Sequence, residues 1–185
     1  MQLHRNMDNI SKIIEKAKAY NFDEVAFLDV STIKLMDEVR NMCENNKCNK
    51  YNTNWSCPPG CGTLEEGRKK LGNYSKGIIV QTIGEIEDNL DFEAMMEIED
   101  RHKRNFYEFY KVIKDKYENS LAFGSGCCNI CSDCTYPNEP CRFPQKNISS
   151  MEAYGMLVSD ICKLNNIKYY YGSDKIAFTS CFIIE

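Results

Sequence analysis

The sequence predicts an α/β domain: a mixed sheet flanked by helices, carrying two cysteine-rich loops and closing in a C-terminal β-hairpin. Three observations predict it. Short apolar runs rich in Val, Ile and Phe alternate with longer segments whose apolar residues recur every three or four positions. That alternation is the pattern of strands interleaved with helices. Two further stretches follow neither period and are dense in Cys, Asn, Gly and Pro. The chain has 185 residues, without internal repeat or separating linker, so a single domain over 1–185 is expected.

Asp8 reads as the cap of a first helix to Tyr20, with Ile10, Ile13, Ile14 and Ala17 on one face. Residues 24–31, "EVAFLDVS", read as a buried strand. Ile33, Met36, Val39 and Met42 then place a helix over 32–45. After an irregular stretch, Thr63 and Glu66 form a capping box that opens a short helix to about Leu71. "GIIVQTIG" (77–84) is the second strand. A long helix is expected over about 90–118, where Met95, Ile98, His102, Phe106, Tyr110, Ile113 and Tyr117 make one core-facing stripe. "SLAFGSG" (120–126) is a third strand leading into the second cysteine-rich stretch. Ser149 and Glu152 suggest another capping box, for a helix to about Leu164. "IKYYYGSDKIAFTSCFII" reads as two strands around a Gly-Ser-Asp turn.

Composition narrows the function. Apolar residues make up 43 % of the chain, enough for a core of its own. The net charge of −4 lacks the basic footprint of a nucleic-acid binder. No apolar run is long enough to span a membrane. The N-terminal twenty residues lack the apolar centre of a signal peptide, which points to the cytoplasm. Eleven cysteines are many for such a chain. A reducing compartment disfavours disulfides, and the odd count fits poorly with full pairing, so metal is the expected use of the clustered thiols.

The second loop carries Cys128-x2-Cys131-x2-Cys134-x6-Cys141, with Pro144 close behind. Successive x2 spacings let one backbone wrap a cubane, as in the bacterial ferredoxin run C-x2-C-x2-C-x3-C-P. Here the last gap is longer. Structural zinc more often uses separated C-x2-C pairs. The first loop carries Cys43-x4-Cys48-x8-Cys57-x3-Cys61. Its irregular spacing suits an iron–sulfur cluster or an all-thiolate zinc site equally. Pro58 and Pro59 stiffen it, and Trp55 and Tyr51 are candidates to shield it from water. Cys127 is adjacent to Cys128, so the two side chains point apart, and Cys127 is a candidate substitute for Cys128 as ligand. Cys162 and Cys181 sit in apolar periodic surroundings and read as core.

Other features carry less. Gly124–Cys127 lacks the lysine of a phosphate loop and suits close backbone approach to a cluster, with N–H groups donating to its sulfurs. Arg142 and Lys146 can offset an anionic cluster. The only histidines, His4 and His102, lie outside any ligand-like pattern, which leaves no Ser-His-Asp or Cys-His pair. The acidic stretch 85–100 reads as a solvated face, or as a dock for a basic partner.

The stretches "CENNKCNKYNTNWSCPPGCG" and "CCNICSDCTYPNEPCRFPQKNISSMEAYGM" together resemble the prokaryotic family of predicted metal-binding proteins of unknown function, over about residues 24–184. The resemblance implies metal binding by Cys43, Cys48, Cys57 and Cys61, and by Cys128 (or Cys127), Cys131, Cys134 and Cys141. It implies iron–sulfur clusters and no particular reaction, and the pair of four-cysteine motifs points to one or two 4Fe-4S clusters, with zinc as the alternative. Three functions therefore stand open. One is electron transfer to a redox partner protein. Another is an enzyme using an open iron as a Lewis acid. The third is a non-redox binding module with structural four-thiolate zinc.

Overall fold

A computed structural model describes the backbone of residues 2–185 and the side chains from Asn9 onward. His4 lies outside the described side chains. The elements in chain order are α1 (Gln2–Lys18), β1 (Glu24–Asp29), α2 (Asp37–Glu44), α3 (Leu64–Leu71), β2 (Lys76–Glu85), α4 (Phe92–Lys116), β3 (Leu121–Phe123), α5 (Val158–Leu164) and β4 (Lys175–Ile184). The strands form one sheet in the order β1-β2-β4-β3. The α/β class is as expected, but the strand pairs are antiparallel throughout.

The reason lies in the two central strands. Ile78, Val80, Phe182 and Ile184 face one core, with Ile10, Ile13, Phe106, Phe109 and Ile113 of α1 and α4. Ile79, Cys181 and Ile183 face the other, with Leu64, Leu71, Met156, Val158 and Ile161. Strands covered on both faces read as unbroken apolar runs, which usually marks parallel pairing. Helices above and below give β2 and β4 the same double burial without parallel neighbours. Gly84 admits α4 at close range, since a Cβ there would collide with Ile98.

His102 belongs to this core. Its ring, fully buried on α4, bridges Thr82 Oγ1 at 2.8 Å and Ser180 Oγ at 2.7 Å, tying the helix to both central strands. Burial pushes its pKa down to about 3, with Lys103 and Arg101 adding to the effect. The expected stripe on α4 holds at Ile98, His102, Phe106 and Ile113, and Phe109 joins it.

Four boundaries differ from expectation. Helix α1 begins at Gln2, ahead of Asp8, because no Gly or Pro interrupts residues 2–8. The expected helix over 32–45 shortens to α2. Asp29 caps a single 3-10 turn, Val30–Thr32, and Leu35 is held extended by a bridge to Met156. The expected helix from Ser149 to Leu164 breaks into a 3-10 turn, Glu152–Tyr154, and α5. Gly155 between them has φ +76°, and its carbonyl accepts the Met36 N–H at 2.8 Å. A side chain at Gly155 would meet the Met36 carbonyl at 2.8 Å, so the chain turns there.

The fourth difference is the C-terminal hairpin, of which only the second arm, β4, forms a strand. β4 pairs along its whole length with β2. The 167–171 segment is anchored by side chains instead. The Tyr171 hydroxyl donates to Gln81 Oε1 at 2.8 Å, and Gln81 Nε2 donates to the Lys168 carbonyl at 3.1 Å. Among the described residues, no helix is long and apolar enough to cross a membrane.

Candidate metal centre

The two cysteine-rich loops dock on each other. The first joins α2 to α3. Asn46, Asn49 and Asn52 take left-handed backbone, with φ of 49°, 55° and 56°, which asparagine tolerates better than most residues. Asn54 Oδ1 accepts both the N–H of Ser56 at 3.0 Å and its hydroxyl at 2.7 Å. Thr63 and Glu66 then close the loop with the predicted capping box: Thr63 N–H to Glu66 Oε2 at 2.7 Å and Glu66 N–H to Thr63 Oγ1 at 3.2 Å.

The docking is polar and specific. Cys128 N–H donates to Ser56 Oγ at 3.0 Å. Trp55 Nε1 donates to the Glu139 carbonyl at 3.1 Å, and Tyr136 Oη donates to Asn52 Oδ1 at 2.7 Å. The Trp55 and Tyr136 rings meet edge to face, 4.9 Å between centroids. Gly60 makes room for this contact, since a Cβ there would lie 2.9 Å from the Tyr136 ring.

The four cysteines of the second motif, Cys128, Cys131, Cys134 and Cys141, line one cavity. Trp55 of the first loop, Arg142 and Phe143 complete its wall. Trp55 thus lines the second site, whereas Tyr51 does not, and its hydroxyl meets Glu44, next to Cys43, at 3.3 Å. Burial raises the Cys128 thiol pKa; the Ile130 N–H opposes this, and Cys141 and Cys131 add to the rise. Cys134 is exposed and the other three are partly buried.

Cys127 does not line that cavity. It faces a small space with Phe106, Tyr107 and Ile148, and it lies within electrostatic reach of Cys57. The adjacent thiols therefore divide between the two sides of the loop.

The first-motif thiols also neighbour one another. Burial raises Cys43, with Cys48 and Glu152 adding, Arg40 opposing and Cys61 contributing. Burial likewise raises Cys57 and Cys61. Cys57 is buried, Cys43 and Cys61 partly buried, and Cys48 exposed. The Cys61 thiol lies 3.6 Å from the Ala153 carbonyl. Arg40, one helical turn before Cys43, lowers the thiol pKa of both Cys43 and Cys61. Sequence reasoning missed Arg40 and Ser56. The i, i+3 spacing to Cys43 was the available signal for Arg40, and the Asn54–Ser56 turn for Ser56.

Two expectations for neighbouring groups are corrected. The Gly124 N–H is committed to the Ser149 carbonyl at 2.9 Å, so that group is not aimed at the cysteine cavity. Lys146 sits outside the cavity, over the Phe143 ring at 5.9 Å, while Arg142 lines it. Cys162 and Cys181 are fully buried in the core and free, as expected. Burial raises the Cys162 pKa to about 11.

The donor set fits a thiophilic metal group. All but Cys43, near the end of α2, sit on irregular backbone, with an arginine beside each set and no histidine among them. Among the described residues, no three Cys, His, Asp or Glu side chains already converge on one point. The second cavity is narrow, about 30 Å³. Holding one group with all four thiols would therefore need side-chain rotation to draw the sulfurs together.

No curated protein and no solved structure matches the chain. A family model does match, over residues 26–184, nearly the whole fold and both cysteine motifs. The chain belongs to that family, DUF2284, described as predicted metal-binding protein.

Proposed function

We propose that the protein is a cytoplasmic iron–sulfur protein that passes electrons to a redox partner. In this reading Cys128, Cys131, Cys134 and Cys141 hold one 4Fe-4S cluster, and Cys43, Cys48, Cys57 and Cys61 hold a second. The observation that carries it is the second motif: four thiols distant in sequence spacing from a zinc-ribbon pattern face a single cavity. A cluster, once bound, supplies a one-electron redox site. The chain's own residues do the rest. The thiolates bind, and Trp55 with Phe143 lends the second site an apolar wall. Arg40 and Arg142 offset the negative charge of a thiolate-ligated cluster. The exposed Cys134 and Cys48 mark the sides from which a partner can approach. Ser56 connects the two sites, since its hydroxyl accepts the Cys128 N–H and lies 3.9 Å from the Cys57 sulfur.

A second reading, a structural four-thiolate zinc site, is favoured by one observation. The cavity of about 30 Å³ suits a single ion with less rearrangement than a cubane requires. Visible absorbance and a reductive titration of anaerobically purified protein separate the two. Broad absorbance that bleaches on reduction supports the iron–sulfur reading. A colourless protein with bound zinc refutes it.

A further inference from the structure

Behind the second cysteine cavity lies a larger groove of about 660 Å³, between α4 and the loop. That volume falls in the range of small-molecule sites. Tyr107 and Tyr110 of α4 form its aromatic floor, and Lys111, Lys114 and Lys146 stand around it against Asp115 and Glu118. Three ammonium groups face two carboxylates in its lining, and Lys111 is also paired with Glu108 Oε1 at 2.7 Å. Ile130 lines both this groove and the four-cysteine cavity, so one side chain separates them.

The groove is held in shape before any ligand arrives. Lys114 Nζ donates to the Glu118 carbonyl at 2.7 Å and the Ser120 carbonyl at 3.0 Å, and lies 5.9 Å from the Tyr110 ring centre. Tyr107 Oη donates to the Lys146 carbonyl at 3.3 Å, pinning helix to loop across the groove. A fixed groove spends little ordering entropy on binding. Tyr107 offers an aromatic surface to a planar ring, and Lys111 and Lys146 favour an anionic substituent on it.

We propose that this groove binds a planar, redox-active aromatic ring carrying an anionic group, a flavin mononucleotide type of ligand, beside the second cysteine site. The inference deepens the electron-transfer reading, because such a ring exchanges electrons with a metal centre at short range. The existence of the groove does not depend on which metal the cysteines hold.

The test uses flavin mononucleotide as the probe, titrated into the purified full-length protein, with iron, sulfide and zinc measured on the same sample. Saturable binding at one per chain is expected, with riboflavin, which lacks the phosphate, weaker by about tenfold or more. The double variant Lys111→Glu/Lys146→Glu, at two exposed positions, is expected to weaken binding by at least roughly tenfold. A charge-matched control on α1, Lys12→Glu/Lys16→Glu, is expected to bind as the parent does. Absence of flavin mononucleotide binding overturns the inference, as does equal loss in the control or equal affinity for riboflavin. If the flavin fails to bind to protein that contains iron and sulfide, the groove assignment alone falls. If it binds to protein that contains only zinc, the iron–sulfur reading falls and the groove stands.

Discussion

The hydroxyl of Ser56, buried in the first cysteine loop, accepts the backbone N–H of Cys128 in the second at 3.0 Å. One short polar side chain thus joins two loops that are 72 residues apart in sequence. Asn54 orients it by accepting the Ser56 hydroxyl proton at 2.7 Å. Replacing Ser56 by Ala leaves the Cys128 N–H without this acceptor and Asn54 Oδ1 with one donor fewer. The expected cost is about 2 kcal/mol, or a fall in Tm of roughly 4–8 °C. Thermal unfolding of S56A against the parent checks it, and an unchanged Tm would show that the loops are held without this contact.

Trp55 is the only tryptophan, and it lines the second cavity. Its fluorescence is therefore most sensitive to that site. Loading with iron and sulfide should quench the emission strongly. Cys131→Ser should reduce the quenching more than Cys43→Ser does. Steady-state emission before and after anaerobic reconstitution checks this, and equal responses in the two variants would contradict the assignment of Trp55 to the second site.

His102 makes stability depend on pH. Its folded pKa, about 3, lies below its unfolded value of 6.5, so the unfolded chain binds the extra proton between them. Stability attributable to this residue is intact above pH 6.5 and is lost as pH falls below that value, continuing down to the folded pKa. By about pH 5 the loss is roughly 2 kcal/mol. His102→Gln carries no titrating ring, so denaturant unfolding at several pH values should show a shallower slope for the variant across this window. Parallel slopes would contradict a buried, neutral His102.

The two core cysteines should separate stability from metal binding. Cys181 pairs in register between Ile79 of β2 and Phe123 of β3 and is fully buried. Cys181→Ala should destabilise the protein by about 1 kcal/mol through the small cavity it leaves, with metal per chain unchanged. Metal analysis and denaturant unfolding on the same preparation check both halves, and loss of metal in C181A would assign it a role that its burial argues against.

Local chemistry was legible in the sequence, and distant packing was not. The Thr63–Glu66 capping box depends on four consecutive residues, and it forms as read. The stripe on α4 depends on helical spacing alone. By contrast, Gly155 breaks a well-patterned helix with left-handed backbone, where Met36, far away in the chain, donates its N–H to the Gly155 carbonyl and leaves no room for a Cβ. The antiparallel sheet was hidden because β2 and β4 are buried on both faces. The docking of the cysteine loops rests on Trp55–Glu139 and Asn52–Tyr136 pairs, each 84 residues apart, which no local pattern announces. Adjacency told that Cys127 and Cys128 diverge, but only the fold shows that Cys128 is the one facing Cys131, Cys134 and Cys141.

The most direct test of the central claim is iron and acid-labile sulfide per chain after strictly anaerobic purification, for the parent and for Cys131→Ser/Cys134→Ser. Two clusters on separate motifs predict about eight irons with matching sulfide in the parent and about four in the variant. Zinc without sulfide in the parent would contradict the account, and so would loss of all iron from the variant, which would mean a single shared site.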